Sequence, residues 1–163
     1  EALYTELRSG IRGLLARRDG PHALVGVWSG GAWLVDRLAG ELRASHPALA
    51  QGVISSTLHR DDFGSRGLAK ADHTRLPFEI DGSHIVLIDD VLFTGRTTRA
   101  VVNELFDFGR PASVLLAVLV DRGGRELPVQ PDLAMARVAL PAAQSLQLAR
   151  SATGQFSFEV QGD

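Results

Sequence analysis

Asp89 and Asp90 stand side by side after the apolar run Ile85-Val86-Leu87-Ile88, and Val91-Leu92-Phe93 separates them from Thr94-Gly95-Arg96-Thr97-Thr98. Adjacent carboxylates repel phosphate. They suit sugar hydroxyls, or a hard cation such as Mg²⁺ that bridges to phosphate oxygens. The second half of the string has the opposite preference: hydroxyls, a glycine and the unpaired N–H groups of a starting helix attract a phosphate dianion. An acidic pair beside a phosphate cradle fits ribose phosphate. Taken singly, Asp-Asp after a strand is an ordinary turn and Thr-Gly an ordinary helix cap, so the specificity lies in the whole string.

Such a site has to be carried by a strand, because in open parallel sheets ligands lie beyond the carboxyl ends of the strands. Residues 85–88 read as a buried strand, 89–97 as a polar turn, and 98–108 as an amphipathic helix stopped by Gly109 and Pro111. Upstream, Leu3, Leu7, Ile11, Leu14 and Leu15 give residues 3–18 helical spacing, ended by Asp19-Gly20-Pro21. Residues 23–28 predict a strand closed by Ser29-Gly30-Gly31, and residues 32–42 a helix. Residues 53–58 predict a second strand, and 60–76 a long polar loop of a length that is often functional in compact domains. Residues 114–120 form another apolar strand, with further strand candidates at 136–140 and 156–160. Strands apolar on both faces and alternating with helices predict an α/β fold with a mostly parallel sheet and helices on both faces, as one domain over residues 1–163.

The composition narrows the function classes. A chain of 163 residues, 45% hydrophobic, is long enough for one full core. A net charge of −2 and a pI near 6.2 exclude the general basic balance of a nucleic-acid coat, leaving only a local patch. Without cysteine there are no disulfides, thiolate metal sites or thiol nucleophile, and His22, His46, His59, His73 and His84 lack zinc-like spacing. No signal peptide is evident, and apolar runs such as 114–120 fall far short of the roughly 20 residues of a membrane span, so a cytoplasmic protein with no membrane partner is expected. The sequence opens on Glu1 rather than methionine, so preceding residues are expected to be missing.

The string from Ile85 to Thr98 resembles the phosphoribosyl-pyrophosphate signature of type I phosphoribosyltransferases. Thr57-Leu58-His59-Arg60-Asp61-Asp62, the Phe93 variant of the loop, Gly109-Arg110-Pro111 and the run from Leu116 through Asp121-Arg122-Gly123-Gly124-Arg125 to Pro128 further resemble the PyrR family. The resemblance implies the type I fold with a small C-terminal hood. It also implies uracil phosphoribosyltransferase activity, which makes UMP and pyrophosphate from uracil and 5-phosphoribosyl-1-pyrophosphate (PRPP) with Mg²⁺, and RNA-binding control of pyrimidine genes in some members.

Carried over by position, the resemblance gives Asp89 and Asp90 the ribose hydroxyls, directly or through Mg²⁺ and water, and Thr94, Gly95, Arg96, Thr97 and Thr98 the 5′-phosphate. Ser29, Gly30 and Gly31 become the pyrophosphate loop, Arg60, Asp61 and Asp62 part of a covering lid, and Arg122 and Leu146 the border of the base. Phe93 favours a pyrimidine, because purine-transferring relatives usually place an acid there. The family usually has Thr-Arg-Gly in the pyrophosphate loop, so Gly30 leaves one cation fewer and PRPP is expected to bind weakly. Three readings follow: a uracil transferase, a UMP-sensing RNA-binding attenuation regulator with little turnover, and a transferase for another base such as a purine. Arg8, Arg12, Arg17, Arg18, Arg125 and Arg137 are the cations available to an mRNA leader, and Gly124 sits where RNA-binding relatives often carry histidine. The family and the apolar helix faces favour a homodimer or a larger homo-oligomer.

Overall fold

The computed structural model describes residues 1–56 and 73–162. Helix α1 (Ala2–Ala16) leads into strand β1 (His22–Val27), helix α2 (Gly30–Leu42) and strand β2 (Ala50–Ile54); β3 (His84–Leu92), α3 (Arg96–Phe108), β4 (Ser113–Asp121) and β5 (Leu133–Arg137) follow. These five strands form one parallel sheet in the order β2-β1-β3-β4-β5. Strands β6 (Ser145–Arg150) and β7 (Phe156–Gln161) make a separate antiparallel pair.

The two-residue period of the strands divides the core. Leu24, Val86, Ile88, Ala117 and Leu119 face α1 and α2, where Leu7, Ile11, Leu34 and Leu38 are buried against them. Their neighbours Val25, Ile85, Leu87, Leu116 and Val118 face the other way, against Val101 and Leu105 of α3 and against Ile80. Every central strand is therefore apolar on both faces, as parallel strands between helical layers require. The C-terminal pair joins the α1 side: Leu148 and Phe156 enter that cluster, and the Phe156 N–H donates to Glu1 Oε2 at 2.9 Å. No helix among the described residues is long and apolar enough to cross a membrane.

The boundaries differ from expectation in instructive places. Strand β3 does not stop at Ile88 but runs through the acidic pair, because β4 continues the ladder opposite it, with Asp89 paired to Val118 and Leu92 to Asp121. Helices α2 and α3 each start two residues earlier than periodicity alone indicates, at Gly30 and Arg96. The strand expected at 136–140 lies at Leu133–Arg137, where β4 supplies its partner, and β6 had no clear signal of its own.

Candidate active site

Ser29, Gly30 and Gly31 form the N-terminus of α2 rather than a free loop, with Ser29 as its cap and the Trp33 N–H donating to the Ser29 carbonyl at 3.2 Å. The glycines are there because the helix is pressed onto the end of β3. A Cβ on Gly31 would collide with the Ile88 carbonyl oxygen and come within 3.3 Å of Asp89 Cα, and one on Gly30 would sit 2.7 Å from the Asp90 carboxyl carbon. The expected pyrophosphate site and the expected sugar site are thus in contact. The peptide bond before Ser29 is cis.

Asp89 Oδ1 accepts the Asp90 N–H at 2.8 Å, and Asp90 Oδ1 accepts the Val91 N–H at 2.8 Å. Desolvation at the end of the sheet, reinforced by the Asp90 charge beside it, pushes the Asp89 carboxyl well above the usual carboxylate range, although the residue keeps some accessible surface. A cation or a pair of hydroxyl donors would relieve that strain. Among the described residues no group of three or more His, Cys, Asp or Glu could enclose a metal. Two carboxylates nonetheless fit Mg²⁺, which keeps waters and substrate oxygens in most of its shell.

The turn into α3 is fixed by a left-handed glycine and local hydrogen bonds. Gly95 caps the helix at φ 92°, Thr94 Oγ1 accepts the Arg96 N–H at 3.1 Å, and the Glu126 N–H donates to the Thr94 carbonyl at 2.9 Å. Thr97 is exposed and Thr98 buried, so the cradle spans the rim and floor of the turn. Arg96 turns away to Glu126, 2.7 Å distant, in an exposed ion pair.

At the end of β4, Arg122 is buried rather than paired to a surface acid. It donates to the carbonyls of Gln144 at 2.9 Å and Pro141 at 3.2 Å, and its guanidinium lies 3.9 Å from the centre of the Phe93 ring. Its buried Nε has no hydrogen-bond partner among the described residues. Gly124, at φ +70°, supports the same ring: a Cβ there would come within 2.5 Å of Phe93 Cε1. Leu146, expected at the border of the base, lies two residues beyond the Gln144 carbonyl, with its side chain packed against the α1 cluster. Arg125 is engaged elsewhere: it donates to Asp121 Oδ2, to the Phe93 carbonyl and to the Val129 carbonyl, and Arg137 reaches the same Asp121 oxygen at 3.3 Å.

The acidic pair, both helix N-termini and the Arg122–Phe93 corner therefore share the carboxyl edge of the sheet. Arg60, Asp61 and Asp62, read as part of a lid, and His59 lie outside the described residues. Periodicity counted Trp28 as the last apolar residue of a buried strand. The residue is 45% exposed, and its indole stacks on His73 at the edge of this site, the ring centres 3.9 Å apart.

Residues 2–137 match the family model described as the phosphoribosyl transferase domain. The chain is 49% identical over 156 residues to the bifunctional protein PyrR of Ralstonia nicotianae, covering 94% of this chain and 87% of that protein. It is 40% identical over 163 residues to the protein of the same name from Nitrosococcus oceani, covering 98% and 90%. Among solved structures, the hypoxanthine phosphoribosyltransferase of Trypanosoma cruzi superposes with a TM-score of 0.62 at 19% identity over 85% of this chain and 76% of that one, a likeness of fold.

Proposed function

Because this chain belongs to the phosphoribosyltransferases and, within them, to the PyrR family, we propose that it transfers the ribose phosphate of PRPP to uracil, giving UMP and pyrophosphate. The observation that carries this reading is the placement of Asp89 and Asp90 between two helix N-termini, one pressed against them at Gly30 and Gly31, the other opening at Gly95. That spacing suits a sugar with a phosphate at one end and a pyrophosphate at the other.

In this reading the N–H groups and hydroxyls of Thr94 to Thr98 hold the 5′-phosphate, and the N-terminus of α2 receives the pyrophosphate. Asp89 and Asp90 fix the ribose hydroxyls, and their charge favours the positive character that develops on the sugar ring as the bond to pyrophosphate stretches. Phe93 supplies a flat apolar face for the base. Arg122, fixed by the Gln144 and Pro141 carbonyls and stacked on Phe93, borders the base from the same corner. Asp89 and Asp90 would hold Mg²⁺, which would supply charge neutralisation for the departing pyrophosphate. No side-chain nucleophile is needed.

A phenyl ring at position 93 offers no hydrogen bond to purine ring nitrogens, which favours a pyrimidine acceptor. We take residues 1–163 to form one catalytic domain working in the cytoplasm. The exposed Phe106 and Phe108 on α3 support a homodimer or larger homo-oligomer. The name shared by the relatives speaks of two functions, so UMP-dependent binding of an mRNA leader is the second reading. The test of the first is turnover with Mg²⁺, PRPP and a panel of bases. UMP formation from uracil at a kcat/KM at least tenfold above that for hypoxanthine or guanine is expected. A purine preference would overturn the assignment.

A further inference from the structure

Trp28 follows the last residue of β1 and precedes the Ser29 cap of α2. Its N–H donates to the Ile54 carbonyl at 2.9 Å, which ties it to the carboxyl end of β2. The chain returns along that same end: Val53 and Arg75 exchange backbone hydrogen bonds at 2.8 Å in both directions, and the Ser55 N–H donates to Thr74 Oγ1 at 3.1 Å. This antiparallel bridge delivers His73 to the carboxyl edge of the sheet. There its imidazole lies flat on the Trp28 indole, with ring centres 3.9 Å apart and planes 10° from parallel. Stacking through the ring face leaves the imidazole nitrogens at the ring edge, in the plane and directed sideways.

Among the described residues, the arginines around the neighbouring pyrophosphate site are committed elsewhere, which leaves it few side-chain donors beside the N–H groups of α2. Gly30 brings no side chain, Arg96 is paired to Glu126, Arg125 to Asp121, and Arg122 lies among the carbonyls of Pro141 and Gln144. We propose that His73, held face to face on Trp28, is a hydrogen-bond donor to the pyrophosphate group of the substrate, in the role that a side chain at position 30 does not fill. Trp28 is then a positioning residue, and its exposure is explained: it is a platform rather than a core residue left uncovered. The inference rests on the reading of Ser29 to Gly31 as the pyrophosphate site.

The experiment uses the full chain, its His73→Ala and Trp28→Ala variants, and the double variant. Magnesium pyrophosphate binding by calorimetry is followed alongside steady-state UMP synthesis. Each single change should weaken pyrophosphate binding and raise KM for PRPP by about threefold to tenfold, the worth of one hydrogen bond, while KM for uracil and kcat move much less. The double variant should be no worse than either single one, because the two rings act as a unit. Tryptophan fluorescence gives a readout that a merely structural role would not move: pyrophosphate should change the wild-type signal but not that of Trp28→Phe, in which Trp33 alone emits. Pyrophosphate affinity unchanged in His73→Ala, or losses that add in the double variant, would overturn the proposal. Because calorimetry needs no turnover, these outcomes are separate from a failure of the wild type to make UMP, which would instead refute uracil transfer.

Discussion

Asp89 is held where its own charge is least welcome, and the proposed role in sugar binding sets that charge against its surroundings. Desolvation and the Asp90 charge both favour its protonated form, yet sugar and metal binding need the carboxylate. Replacing Asp89 by Asn should therefore separate function from stability. We expect kcat/KM to fall at least tenfold, about 1.4 kcal/mol on the barrier, while the ligand-free protein melts about 2–4 °C higher, as expected for a gain near 1 kcal/mol in a chain of this size. Asp90→Asn should cost activity similarly. Normal kinetics in both variants would remove these residues from the mechanism. Gly30 makes a related prediction. The missing cation invites Gly30→Arg as a repair, but any Cβ at position 30 meets the Asp90 carboxyl carbon at 2.7 Å and must push that carboxylate aside. Gly30→Ala is thus expected to lower kcat/KM about tenfold by misplacing Asp90, and Gly30→Arg to fail to improve it. An improved KM for PRPP in Gly30→Arg would show that the carboxylate yields freely. The acidic pair was legible from residue types alone. Its pressure against Gly30 was not, since a contact between β3 and α2 leaves no mark in either segment.

At the scale of elements, the end of β4 is organised by one buried acid. Asp121 is 3% exposed, accepts from Arg125 at 2.6 Å and from the Gly123 N–H at 2.9 Å, and lies 3.3 Å from Arg137. The Arg125 hydrogen bond, with Gly123 and Arg137 behind it, outweighs burial and holds this carboxyl below its ordinary value. A depressed carboxylate stabilises the fold above its unfolded value, here near 3.8, and loses that contribution as pH falls through its folded value. Asp121→Asn should cost about 2–3 kcal/mol at neutral pH by urea unfolding. The gap from wild type should close progressively below about pH 4. A constant gap down to pH 2 would mean that the loss is one of packing rather than charge. Because Arg125 also holds the Phe93 carbonyl, the same variant should raise KM for uracil. Sequence periodicity located α1 and the core of the sheet well, because their apolar faces are long and regular. It placed β5 too late and gave no warning of β6, because short half-buried strands such as Leu133–Arg137 are fixed by their partners, here β4, more than by their own pattern.

Over the whole molecule, the question is how much positive charge is left for an RNA backbone. The net charge of −2 offers no general attraction, so binding would need a local patch, and several of its candidate members are already committed. Arg8 is bound to Glu41 at 2.9 Å, and Arg125 and Arg137 converge on Asp121. Gly124, where RNA-binding relatives often carry histidine, cannot simply be given one: a side chain there runs into Phe93, and its φ of +70° disfavours any residue but glycine. Pocket and patch are thereby linked, because the contact that supports the Phe93 ring beside the base corner excludes a bulky RNA-facing residue behind it. Arg12, Arg17 and Arg18, on α1 and just beyond it, remain to form a small basic face. With about three phosphate contacts, affinity should be weak and the logarithm of the binding constant should fall with the logarithm of salt at a slope of about −3 or shallower. Filter binding to the leader RNA of the pyrimidine operon at two salt concentrations, with and without UMP, checks this. The expected result is weak, salt-sensitive retention that UMP does not strengthen and that Arg12→Ala reduces by about one unit of slope. Tight retention strengthened by UMP would instead show that cations beyond this face take part, and regulation would then be the main role of the pocket.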